Sequence, residues 1–286
     1  MALPSLPLLL GIDFSSRPSR RKPILVAEGS RDGTLVRLEG LCRHETLPAF
    51  AVALSDPQRP SWIGGFDLPF GLPRELVMAL GWPQQWLPLM RHYASLERTQ
   101  IRTTFAVFCD SRPAGGKFAH RACDRPAGSS PSMKWVNPPV AWMMHAGVPL
   151  LIDAGVTLPG LHAGDPQRIA LEAYPGLLAR ELIGRRPYKS DEPAKQTPER
   201  ALAREQLIAA LEEGRSRLGL RLVLDGAQRE ALLADPMGDA LDAVLCLLQA
   251  GWAAGQPGYG LPVAIDPLEG WIVSADPLAA QAESAA

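Results

Sequence analysis

Four aspartates in two settings carry the chemistry this sequence could perform. Asp13 closes the apolar run Leu8-Leu9-Leu10-Gly11-Ile12, and Asp67 closes Trp62-Ile63-Gly64-Gly65-Phe66. Asp239 and Asp242 stand three apart in Asp239-Ala240-Leu241-Asp242-Ala243, a spacing that puts both on one helix face. Each feature has an ordinary use. An Asp after a strand bonds its own backbone in a turn, and acids in a first helical turn complement the macrodipole. The macrodipole explains Asp239 better than Asp242, because Leu241, Val244 and Leu245 mark the helix as buried and an unpartnered buried carboxylate is costly. Brought together, the four acids would repel and some would take up protons. A divalent cation such as Mg2+ or Mn2+, held by oxygen ligands, removes that conflict. Two such ions about 3.5–4 Å apart can activate a water and stabilise the leaving oxygen of a phosphodiester. The expected site therefore has Asp13, Asp67 and Asp242 as catalytic metal ligands, with Asp239 assisting Asp242.

Glu172 is a fifth acid, on the mostly apolar run 168–175. It either completes the metal site or pairs with an arginine such as Arg180. Residues 111–134 are rich in Gly, Ser and Pro and carry Arg112, Lys117, Arg121, Arg125 and Lys134 against Asp124. Five positive charges less one negative leave +4. Such a run is either a solvated face or a mobile insert that holds a phosphate backbone beside an acidic site. On the second reading Lys117, Arg121 and Arg125 bind nucleic acid, and Lys189 either joins them or is an exposed loop lysine. The five histidines show no metal-ligand spacing, and no Gly-rich phosphate loop is present.

The aspartates need strands and a helix to position them. Short apolar runs read as buried strands at 8–13, 62–67 and 168–175. Segments 24–27 and 34–41 read as a hairpin turned through Arg31-Asp32-Gly33. Helices are expected at 48–54, 73–81, 83–96, 140–146 (limited by Pro149), 176–183 and 199–218, the last with Leu202, Leu207 and Leu211 inward. Asp225 can cap a further helix to residue 234, and a long helix spans 237–254. A last short strand is expected at 271–274. The whole reads as one elaborated domain over 1–275 with an insertion at about 73–160, followed by a disordered tail, 276–286.

The composition fits a chain with a large core. Of 286 residues, 47% are hydrophobic and 21% charged, as is ordinary for globular proteins. A net charge of -1 gives no global basic field, so any nucleic-acid surface must be local. Cys42, Cys109, Cys123 and Cys246 form no Cys-x-x-Cys pair, which argues against a zinc site or disulfide framework and suits a reducing compartment. Residues 3–10 are apolar but lack a basic start and an Ala-x-Ala site, and no run reaches the ~20 residues of a membrane span. A cytoplasmic protein is expected.

Taken as a set, Gly11-Ile12-Asp13, Phe66-Asp67-Leu68-Pro69-Phe70-Gly71, Glu172-Ala173-Tyr174-Pro175, Asp239-Ala240-Leu241-Asp242-Ala243 and Glu269-Gly270-Trp271-Ile272 resemble domain-of-unknown-function family 429. That family is regarded as predicted nucleases of the ribonuclease H-like superfamily. The resemblance runs in order from Gly11 to Ile272. It implies an α/β fold in which three antiparallel strands are extended by parallel ones, with helices on both faces. It also implies an acidic site of Asp13, Asp67 and Asp242 with Asp239, whose late Asp-x-x-Asp is similar to that of Holliday-junction resolvases of this fold. The expected activity is Mg2+- or Mn2+-dependent hydrolysis of nucleic acid. Two rival readings fit the same residues: an actin-like nucleotide-dependent phosphotransferase, and a non-catalytic nucleic-acid-binding module.

Overall fold

The structure is a computed structural model that describes residues 7–59 and 61–277. The expected tail therefore lies, from residue 278 onward, outside the described residues. Among these residues no helix is long and apolar enough to cross a membrane.

A seven-stranded mixed sheet forms the centre. Its strands are β1 (Leu8–Asp13), β2 (Ile24–Asp32), β3 (Leu35–His44), β4 (Trp62–Asp67), β5 (Val156–Thr157), β6 (Asp165–Glu172) and β7 (Arg221–Val223). They lie in the order β5-β6-β4-β1-β2-β3-β7. β1, β2 and β3 pair antiparallel, β4 lies parallel to β1, and β6 lies parallel to β4. The hairpin between β2 and β3 turns at Gly33, whose φ of 58° suits a residue without a Cβ. This is the sheet expected from the sequence: an antiparallel trio extended by parallel strands, compatible with a ribonuclease H-like topology.

Successive side chains of a strand point to opposite faces, so the sheet divides the core in two. Leu10 and Ile12 of β1, with Trp62 and Phe66 of β4, face one layer. That layer holds α1 (Leu47–Leu54) and most of the helices inserted between β4 and β5. The inserted helices are α2 (Arg74–Ala79), α3 (Trp86–Ser95), α4 (Arg98–Asp110), α5 (Asp124–Ala127) and α6 (Val140–Asp153). Leu9 and Ile63 face the other layer, with α7 (Pro175–Ile183), α8 (Pro198–Glu212), α9 (Gly226–Ala234) and α10 (Asp239–Ala254). Helices thus cover both faces.

Several elements depart from the sequence-based expectation. α4 has no predicted counterpart: Thr103 and Thr104 interrupt its pattern, yet it buries Ile101, Phe105 and Phe108 and starts in a capping box between Glu97 and Gln100. α6 runs through Pro149 to Asp153 rather than stopping at residue 146. The proline removes one backbone bond, but Val148 and Leu151 on either side are buried and hold the helix in place. α8 ends at Glu212, and its Leu202 is 52% exposed, not inward. The strand expected at 271–274 shrinks to one bridge, Glu172 to Ile272. Nor is 111–134 a free loop, since Ala119, Arg121, Cys123, Asp124 and Met133 are all buried.

Candidate metal centre

Asp13 and Asp67 end neighbouring parallel strands in direct register. The two-residue period places each on the same face as the glycine two before it, Gly11 and Gly65. Those glycines let α10 lie against the sheet. A Cβ at Gly11 would overlap the carbonyl oxygen of Ala243, and one at Gly65 would lie 2.6 Å from that of Cys246. Close approach brings the first turn of α10 over the strand ends. That turn opens at Gly238, whose φ of 72° is open to glycine, and the Gly238 carbonyl accepts the Asp242 N–H at 2.9 Å. As a result Asp13, Asp67 and Asp242 each present an oxygen within 4.8 Å of the others. Asp242 is fully buried and Asp13 is 8% exposed.

Charge is crowded here. Burial, then the neighbouring Asp242, pushes the Asp13 carboxyl well above its ordinary range. The same two causes, in the same order, bring Asp67 up to about 7. The buried Asp242 carboxylate has two donors: the Tyr188 hydroxyl on Oδ1 and the Lys189 ammonium on Oδ2. Burial works against the charge on Lys189, but Asp242, Tyr188 and Asp13 together outweigh it and hold the ammonium strongly protonated. The segment carrying these donors is pinned. Arg204 Nη1 donates to the Tyr188 carbonyl at 2.8 Å, Arg200 Nη1 donates to the Lys189 carbonyl, and Ser190 N–H donates to Pro236 O at 3.0 Å.

Not every expected residue joins the cluster. Asp239 stands at its rim, outside the trio, with its carboxylate 3.6 Å from Lys22 Nζ and raised by burial to about 6. Glu172 is not among the clustered ligands and does not pair with Arg180. The Arg121 guanidinium grips its carboxylate through both oxygens, at 2.6 and 2.7 Å, and Phe70 N–H donates to it at 2.9 Å. Arg121 also pairs with Asp124 and donates to the Glu269 carbonyl. It is a buried clamp between the insert and β6, and it offers nothing to a polyanion in solution. Lys189, whose side chain is partly exposed, likewise turns its ammonium inward onto Asp242.

The basic run is partly answered within the protein. Arg112 pairs with Glu75, and Lys117 lies 3.7 Å from Asp110. Arg112, His120 and Arg125 line a polar basin, and Arg121 lies in the wall between it and a second cavity of about 130 Å³ at Asp67. Pro69, Met143, Ala173 and Tyr174 give that second cavity apolar walls. Sequence reasoning passed over Tyr188 as a ligand-side partner. Its only signal was a Tyr-Lys pair in a polar connector, and nothing in that pattern points to Asp242, 54 residues away.

Comparisons of the chain with models of protein families, with curated proteins and with solved structures find no match. The donor set itself shows what could bind. All three ligands are carboxylate oxygens, the preference of hard divalent cations. Two oxygens on one ion can lie at most twice the metal–oxygen distance apart, about 4.2 Å for magnesium and about 5 Å for calcium. The 4.8 Å span is within a small side-chain rotation of that limit. A positive group, the Lys189 ammonium, already stands against one of the three. The trio could hold a divalent ion.

Proposed function

We propose that the protein is a divalent-metal-dependent nuclease that hydrolyses phosphodiesters, with Asp13, Asp67 and Asp242 as the metal ligands and Mg2+ or Mn2+ as the cation. One observation carries this reading: three carboxylates from two strands and a helix meet within 4.8 Å in a buried corner. Held as bare anions they would repel, and burial already raises Asp13 and Asp67. Such an ion supplies positive charge to phosphate oxygens and lowers the pKa of a water.

The chain's own groups do the rest. Register between β1 and β4 fixes the spacing of Asp13 and Asp67. The Tyr188 hydroxyl orients Asp242 through Oδ1. The apolar cavity beside Asp67 would seat the organic group on one side of the phosphate. Asp239, paired with Lys22, would bias the site toward cations without touching the ion. Nucleic acid, DNA or RNA, as the substrate rests on the resemblance to family 429. The basin of Arg112, His120 and Arg125 is the surface that would meet its backbone. The phosphotransferase alternative gains no support, since Phe14 is buried in the core where a Gly- and Thr-rich nucleotide loop would be needed.

A cleavage assay over DNA and RNA with Mg2+, Mn2+ or chelator, run beside Asp67→Asn and Asp242→Asn, tests the reading. Cleavage should need the metal and should disappear in both variants. Cleavage that survives in either variant rejects this site.

A further inference from the structure

We propose that Lys189 is a resident counter-cation: its ammonium holds the position at Asp242 that a divalent ion must take, so that the ion enters by displacing it. This rests on the metal reading above but adds an exchange that the carboxylates alone do not imply. Asp242 is fully buried, and its Oδ2 meets Lys189 Nζ. Tyr188, a neutral donor, cannot balance the charge. A buried carboxylate left without a countercharge is strongly disfavoured, so the metal-free protein needs a cation at this point, and Lys189 provides one.

The surroundings allow the side chain to leave while its backbone stays. The carbonyls of residues 188 and 189 are tied to Arg204 and Arg200, and Ser190 N–H is tied to Pro236 O. Gly238 gives the stem its channel, since a Cβ there would lie 2.7 Å from Lys189 Cβ and 3.0 Å from Cδ. Along that channel the side chain is 39% exposed, whereas the Asp242 side chain is not exposed at all. A lysine on a four-carbon stem can therefore swing its ammonium toward solvent without disturbing the pinned segment. The other positive group near the acids, Lys22, sits at Asp239 and Asp191 and does not touch Asp242.

Exchange predicts that the lysine competes with the metal. Titration calorimetry with Mn2+ on the full chain, and melting in chelator, read this without any activity measurement. Lys189→Met should bind Mn2+ at least about ten-fold more tightly than the unmodified protein, a change of one pK unit in affinity, and should melt at a lower temperature in chelator. Tyr188→Phe removes a donor that serves both forms, so it should not tighten Mn2+ binding. If Lys189→Met does not fold, Lys189→Arg takes its place. A planar guanidinium grips a carboxylate through two nitrogens, and Mn2+ binding should weaken several-fold. Equal or weaker Mn2+ binding by Lys189→Met, or unchanged binding by Lys189→Arg, overturns the exchange and leaves the metal reading standing. Absence of Mn2+ binding in every form overturns both.

Discussion

Asp242 and Glu172 are both buried acids near the strand ends, yet their partners give them opposite meanings. Glu172 is saturated by Arg121 and a backbone N–H, whereas Asp13 and Asp67 face Asp242 across a gap an ion could fill. Asp67→Asn or Asp242→Asn should weaken Mn2+ binding at least about 100-fold, beyond the 10–100-fold loss typical of groups that only support a ligand; calorimetry measures it. Arg121→Met should instead leave metal binding possible but strand Glu172 and Asp124 as uncompensated buried charges. A loss of about 3–5 kcal/mol is expected from urea denaturation, and a loss under 1 kcal/mol would refute the clamp. The trio was legible in the sequence because each acid ends an apolar run or sits within one. The clamp was not, because Arg121 lies 51 residues from Glu172 in a stretch whose composition reads as solvated loop. Charge counting gave that stretch +4, while burial turns one of its arginines into internal structure.

At the scale of elements, the glycines before the strand-end acids decide whether the helical acid arrives. Gly11→Ala should push α10 from β1 and destabilise the fold by about 1–3 kcal/mol, the range for overpacked sites, while also weakening Mn2+ binding. Gly40→Ala in β3 has open space around its Cβ and should stay within about 0.5 kcal/mol. Equal effects of the two would show that helix approach does not set the site. Most strands were readable because apolar runs ending at Gly, Pro or Asp mark them. The Asp225 cap was readable for a local reason, and its side chain does accept the Gln228 N–H. Where tertiary contacts decide, the pattern fails. α4 is held by four buried apolar residues, Ile101, Phe105, Phe108 and Cys109, among polar ones, and α6 continues past a proline because its neighbours are buried. β7, three residues long, exists only by pairing with β3.

The molecule as a whole couples this site to pH. Asp13 and Asp67 hold protons in the folded state at pH values where the unfolded chain has released them, and Asp239 follows in the same direction. At these three acids the folded state therefore binds more protons between about pH 4 and about pH 7, and the stability they contribute is lost as pH rises through that window. For Asp67 the folded value is about 7, and each unit of difference corresponds to about 1.4 kcal/mol at most. A divalent ion acts in the opposite sense, since it binds the ionised acids and must displace those protons. Melting curves in chelator and in Mn2+ should therefore diverge with pH. The increment should be small at pH 5 and larger at pH 8. At a concentration 100 times Kd the stabilisation is about 2.7 kcal/mol, or roughly 5–10 °C at the 2–4 °C per kcal/mol of a chain of this size. Taking the difference between the two conditions cancels surface acids that titrate alike in both. Asp67→Asn, which cannot ionise, should flatten the chelator curve between pH 5 and 7 and remove most of the Mn2+ increment. An increment equal at pH 5 and pH 8 would mean that the ion binds somewhere other than these raised carboxyls.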